Sequence, residues 1–336
     1  MGNNVHSFRG FFKKSLLTIS LGATLATASV HADTLRVAGN FAVDHSSTLA
    51  MEVFKKEVEA ATDGDINVNL FPAMQLGGAS ENVDQVRSGV LSMTWIGVSF
   101  LSRTVPELEA VSLPFVLKDR ETAFRVIDGK VGDLLNEKLA EKGFVALGFM
   151  ELGARHITNS VRPIESIEDF EGLKIRLQPN ETHLNSFRAL GASPVSMGIN
   201  EVYSALQQKV IDGQENPFSI IRKNNFGEVQ QYLTDTNHFF DFIVVVANKK
   251  KFDRMSDEEQ QVLRESMAKA VAWQRDKAAE EDLESRNELI AAGMKFNAVT
   301  PELHQQMQQK TAGIVDDLKE RLGAELIDAV LEGAKS

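Results

Sequence analysis

Three short stretches set cationic or amide side chains among apolar neighbours. In Lys174-Ile175-Arg176-Leu177, strand alternation sends Ile175 and Leu177 to one face and Lys174 and Arg176 to the other. If both faces of that strand are covered, the guanidinium requires an anion, because an unpaired buried charge is very costly. On an edge strand it would simply be solvated. Arg155, in Gly153-Ala154-Arg155-His156-Ile157-Thr158-Asn159, poses the same choice. Asn216 stands before Pro217, where it can cap a helix that begins with proline, and such a terminus also suits an anion. Together these residues could recognise a small anion. Other chemistries lack their residues. Cysteine is absent, which excludes thiol catalysis, disulfides, iron–sulfur clusters and thiolate zinc sites. There is no G-x-S-x-G elbow, H-E-x-x-H, Walker loop or dinucleotide glycine fingerprint, and the seven histidines show no ligand spacing. No cofactor and no metal is implied.

The elements that must position these groups read as α/β. The 336 residues allow about two domains. Apolar residues at 43% and charged ones at 25% suit a soluble globular protein. The net charge of −11 argues against a nucleic-acid partner. Residues 1–32 read as a cleaved export signal: Arg9, Lys13 and Lys14 precede an apolar stretch from Leu16 to Val30, and Val30-His31-Ala32 resembles a cleavage site. That stretch is roughly 15 residues, short of the about 20 needed to span a membrane, so no lasting membrane insertion is expected. Removing three basic and no acidic residues would take the charge from −11 to −14.

From Asp33 onward, short apolar runs alternate with amphipathic ones. Strands are predicted at 34–38, 66–71, 93–98, 144–150, 155–158, 173–177, 193–197, 210–212 and 239–246, with helices between them and two further helices at about 301–321 and 324–331. Ser256, followed by three acidic residues, starts a helix that no Gly or Pro interrupts before Gly293. At 1.5 Å per residue it would run about 54 Å, longer than one lobe. The predicted organisation is a first lobe over 33–153 plus about 240–255, and a second over 154–239 plus about 294–336. The helix over 256–293 spans both.

Five blocks then carry a resemblance: Pro72-Ala73-Met74-Gln75-Leu76-Gly77, the Gly153–Asn159 stretch, Gly172-Leu173-Lys174-Ile175-Arg176, Leu190-Gly191-Ala192-Ser193-Pro194-Val195 and Asp212-Gly213-Gln214-Glu215-Asn216-Pro217. In this order they resemble the substrate-binding proteins of TRAP (tripartite ATP-independent periplasmic) transporters, the DctP-like family. The likeness covers essentially all of the chain from Asp33. Met74 departs from it, since the family often has glycine there. The resemblance implies a two-lobed, type II-like periplasmic-binding fold that closes on an organic anion and delivers it to a membrane permease. It further implies a monomer, not an enzyme, exported through the Sec pathway to the periplasm of a Gram-negative bacterium. By similarity, Arg176 clamps the ligand carboxylate, Arg155 adds a second cationic contact and Asn216 an amide donor. A guanidinium fork matches two carboxylate oxygens where Lys174 offers only a point charge. His45, Glu81, Asn180, Phe218 and Asp241 are further candidates, the carboxylates as acceptors for hydroxyls and Phe218 as an apolar wall. That set points to a uronate or aldonate such as glucuronate or galacturonate. A C4-dicarboxylate or keto acid is the alternative ligand, a sensor protein the alternative partner, and an exported enzyme the least supported reading.

Overall fold

The computed structural model describes residues 1–2 and 33–335. Nearly all of the predicted export signal lies outside the described residues. The chain divides between His31 and Ala32, and the fold described here is that of the second unit.

Among the described residues, eleven strands form two sheets. The first sheet has the order β2-β1-β3-β10-β4. It comprises β1 (Asp33–Gly39), β2 (Ile66–Phe71), β3 (Met93–Gly97), β4 (Phe144–Ala154) and β10 (Phe240–Asn248). β1, β2 and β3 are parallel, and β10 inserts antiparallel between β3 and β4. The second sheet is β11-β9-β5-β8-β6-β7. It contains β5 (His156–Asn159), β6 (Lys174–Leu177), β7 (Ser193–Ser196), β8 (Gly213–Asn216), β9 (Tyr232–Asp235) and β11 (Lys295–Ala298). Around the sheets lie α1 (Ser46–Ala61), α2 (Ala79–Ser88), α3 (Arg120–Ile127), α4 (Lys130–Glu141), α5 (Glu181–Ala189), α6 (Ile199–Gln207) and α7 (Phe218–Lys223). They are followed by α8 (Lys249–Phe252), α9 (Asp257–Ala291), α10 (Pro301–Thr311), α11 (Gly313–Leu322) and α12 (Ala324–Lys335).

The chain passes between the sheets at few points. Arg155 alone separates β4 from β5, and residues 236–239 return the chain from β9 to β10. The two crossings are tied by the Arg155 N–H, which donates to the Phe239 carbonyl at 2.9 Å. The third crossing is α9. Ser256 caps it and Glu259 completes a capping box, as the sequence pattern requires. Its charged middle, where no coiled-coil seam could form, grips both lobes. Arg275 makes a two-pronged pair with Asp128, at 2.6 and 2.8 Å, on the side of the first sheet. Further along, Glu288 accepts from Arg222 of α7 at 2.6 Å.

Three expectations change. The apolar run over 210–212 is not a strand; β8 falls on the polar Gly-Gln-Glu-Asn that follows, all four residues buried. Gly213 is required there, because a Cβ would stand 2.1 Å from the Thr158 carbonyl oxygen of β5. The predicted helix over 301–321 is two helices, α10 and α11. Residues 294–336 do not all join the second lobe. Leu303 and Met307 of α10 pack there, whereas Ile314, Leu318, Leu326, Ile327 and Val330 belong to the apolar core of the first.

Candidate functional site

A cavity of about 240 Å³ opens where the carboxyl ends of β1, β2 and β3 face those of β6 and β8. Parallel strands leave their ligand crevice at this end. From the first lobe it is lined by Asn40, Phe41 and His45 after β1, Met74 after β2, and Gly97 at the end of β3. From the second lobe come Arg176, Gln178, Asn216 and, on α7, Lys223.

Arg176 is fully buried. β6 lies between β7 and β8, so it is not an edge strand, and the solvated-edge alternative does not apply. Nε and Nη2 both donate to the Met197 carbonyl, at 3.0 and 2.8 Å. Nη1 has no partner among the described residues. Burial pushes the guanidinium down to about 9, only partly offset by the more distant Glu215, and it remains cationic at neutral pH. A buried cation with one face unpaired is held ready for an anion.

Asn216 is buried beside it at the end of β8. Its Nδ2 donates to Gln214 at 2.5 Å, and its Oδ1 accepts from Arg155 at 3.1 Å. His45 caps α1, with Nδ1 accepting the Ser47 N–H at 3.2 Å. Burial pushes its pKa down to about 4, so the ring is neutral at physiological pH. With Nδ1 an acceptor, the proton sits on Nε2, which has no hydrogen-bond partner among the described residues and lies 4.0 Å from Glu281. Lys223 brings a second cation to the wall, but an occupied one. Its ammonium donates to the Asp44 carbonyl and carboxylate, each at 2.9 Å, and stands 3.0 Å from Glu281.

The remaining predicted contacts do not line this cavity. Arg155 is engaged behind it: Nε and Nη2 donate to the Glu215 carboxylate at 2.5 and 2.8 Å, and Nη1 donates to Asp241 at 3.2 Å. Its donors serve these buried carboxylates, and it does not line the cavity. Asp241 faces that same guanidinium and the Phe242 N–H, at 2.8 Å. Glu81 is exposed at the start of α2, where its carboxylate accepts the Gly78 N–H at 3.3 Å. That helix-start bond engages the carboxylate, and Glu81 does not line the cavity. Asn180 caps α5 and donates to Ser112 at 3.2 Å. Phe218 stacks on His156 with ring centres 3.8 Å apart. Conversely, Asn40, Gln178 and Lys223 line the cavity without having been singled out. For Gln178 a signal existed: it stands two positions beyond Arg176.

The described lining residues include no Asp, Glu, Ser, Thr or Tyr, so neither a carboxylate base nor a hydroxyl nucleophile faces the cavity. Among the described residues no group of three or more His, Asp or Glu could hold a metal. No described helix is long and apolar enough to cross a membrane.

The model of the bacterial extracellular solute-binding proteins, family 7 (DctP), matches residues 37–321. The chain belongs to this family. Among its relatives, the 2,3-diketo-L-gulonate-binding periplasmic protein YiaO of Escherichia coli (strain K12) is 34% identical over 273 residues, 81% of this chain and 83% of that protein. The sugar acid binding protein DctPAm of Advenella mimigardefordensis strain DPN7T, solved in complex with galactonate, superposes with a TM-score of 0.87 at 33% identity. The match covers 90% of this chain and 97% of that one. A TRAP periplasmic solute binding protein of Sulfurospirillum deleyianum DSM 6946, solved with bound succinate, gives 0.84 at 30% identity over 89% and 98% of the two chains. The two-lobed α/β fold and the solute-binding class are thus those the five sequence blocks implied.

Proposed function

We propose that this family 7 protein captures a monocarboxylic sugar acid in the periplasm and delivers it unchanged to a TRAP permease. The observation that carries the reading is the unpartnered Nη1 of fully buried Arg176 in the cavity wall. A ligand carboxylate would complete that guanidinium, with Asn216 beside it. One open cation favours one ligand carboxylate: Lys223, the other lining cation, already has Asp44 and Glu281. A C4-dicarboxylate would have to break that pair or bury its second charge unmatched. Neutral His45 and the amides of Asn40 and Asn224 suit hydroxyl groups instead. Binding of galactonate by a neighbour at 33% identity supports the same choice. Release without conversion is supported by a wall that carries no activated nucleophile.

The test is thermal unfolding of residues 33–336 with D-galactonate, D-gluconate, D-glucuronate, D-galacturonate, succinate and pyruvate. A ligand at a hundred times its Kd adds about 2.7 kcal/mol, which for a chain of this length raises Tm by roughly 4 °C. At least one sugar acid should do so, and succinate should not. Stabilisation by succinate alone, or turnover of any of the acids, would refute the reading.

Closure should depend on Asp44. Lys223, on α7, reaches across the cavity to this residue in the loop before α1. The Lys223 side chain is 5% exposed and the Asp44 side chain 62%, so the ammonium is shielded from water while the carboxylate is not. Asp44→Asn should raise the ligand dissociation rate about fivefold with little change in association rate, as stopped-flow measurement would read. Equal rates would mean that the pair does not hold the lobes together.

A further inference from the structure

Asn40 follows β1 and lines the cavity at 7% exposed, yet its Oδ1 has no hydrogen-bond partner among the described residues. Its Nδ2 is occupied, donating to Oδ1 of Asn82 at 2.9 Å. Asn82, in the first turns of α2, is 1% exposed and does not line the cavity. Its own Nδ2 donates to the Leu76 carbonyl at 2.9 Å and to Gln85 Oε1 at 3.3 Å. We infer that Asn82 fixes the direction of the Asn40 amide, so that Asn40 meets the bound acid as the acceptor of a hydroxyl and not as a donor.

A backbone carbonyl only accepts, so the Leu76 oxygen decides which way round the Asn82 amide sits. Turned over, Asn82 would set its own oxygen against that carbonyl. Its Oδ1 is therefore committed to Asn40, and only the NH2 side of the Asn40 amide can answer it. The Asn40 oxygen is left on the side away from Asn82. That is the cavity side, because Asn40 belongs to the wall and Asn82 stands behind it. Asparagine is a poor helix former, since its side chain competes for hydrogen bonds with the backbone. Here that side chain joins the residue after β1 to the loop after β2, a use that outweighs its weak propensity. A buried acceptor without a donor is costly, and a ligand hydroxyl supplies the donor. A methylene at the same place leaves the oxygen unpaired, and a fluorine or a second carboxylate sets one acceptor against another. The cavity thus distinguishes atoms of similar size by hydrogen-bond polarity. Asn82 touches no ligand and is a positioning residue.

This role rests on the proposed hydroxy-acid site, and the experiment separates the two. Calorimetry would compare D-galactonate with its monodeoxy and monodeoxyfluoro counterparts in the wild type, Asn82→Leu and Asn40→Leu. In the wild type one hydroxyl should stand out. Its deoxy acid should bind about tenfold more weakly than the parent, and its deoxyfluoro acid more weakly still. In Asn82→Leu the tenfold ratio should fall to within about threefold, while the deoxy acid binds nearly as before. The deoxyfluoro acid should then match or exceed the deoxy acid, because the freed Asn40 amide can turn and donate. Asn40→Leu should lose the same discrimination without that gain, and a merely loosened fold would weaken every acid alike. If Asn82→Leu does not fold, Asn82→Ala, which removes the same hydrogen bonds, decides in its place. A wild type that discriminates at no hydroxyl, or a folded Asn82 variant that keeps the wild-type ratios or weakens all the acids alike, would overturn the inference and leave the carboxylate clamp standing. A wild type that binds none of the acids refutes the hydroxy-acid site itself, and this inference with it.

Discussion

Arg176→Met is expected to abolish useful binding of the acid and, in the same protein without ligand, to raise the melting temperature. Both effects come from the unpaired Nη1. With ligand bound, the guanidinium and a carboxylate form a desolvated pair, and removing one member of such a pair costs roughly 2–5 kcal/mol. That is a loss of tens to thousands of fold in Kd. Without ligand the same group is a burden, because a fully buried cation with an open face has lost its hydration without full compensation. Methionine fills similar volume with no charge. Replacement of buried ions by apolar groups is often stabilising by about 1–4 kcal/mol, here reduced by the loss of both donors to the Met197 carbonyl. Calorimetric titration with D-galactonate reads the first effect and scanning calorimetry without ligand the second. Arg176→Lys should fall between, keeping a charge but losing the planar fork. Affinity of Arg176→Met within threefold of wild type would remove the clamp; an unchanged or lower Tm would show that the open face has no stability cost.

The legible part of this molecule was what local pattern controls. The start of α9 is encoded in four consecutive residues, Ser256 to Glu259, and its capping box forms as they dictate. Arg176 was legible because one turn of alternation places it among apolar residues. The site's polar framework was not. β8 escaped because a strand is recognised by apolar runs, and this one carries Gln214, Glu215 and Asn216 into the interior. Arg155 finds its partners 60 and 86 positions away, and no spacing within its own strand distinguishes a carboxylate of the protein from one of a ligand. Glu81 and Asn180 show the converse. Residue types that bind hydroxyls also cap helices, and here the local backbone amides claimed both.

For Arg155 that ambiguity becomes a measurement. Arg155→Met is expected to lower stability by about 3–5 kcal/mol, because it leaves Glu215 and Asp241 buried without their counter-charge. For a chain of this size the loss corresponds to roughly 5–8 °C in Tm. The deficit should also depend on pH. In the wild type Arg155 and His238 hold Glu215 far below the usual carboxylate range against a large desolvation penalty. Its contribution is therefore complete above the unfolded value of 4.5 and is lost only in strong acid. Asp241 works oppositely: raised to about 6, it favours the fold when protonated and less so as pH rises through that value. Without Arg155 both carboxyls shift upward, the folded state takes up protons, and the deficit should be smaller at pH 5 than at pH 8. Adding Glu215→Gln should restore part of the loss, since the two side chains act as a pair and their effects will not add. Binding should suffer less than in Arg176→Met, about tenfold or under, through the donor that Asn216 loses. The opposite pattern, a stable Arg155→Met that loses affinity by hundreds of fold, would make Arg155 the second ligand contact that the family resemblance implied.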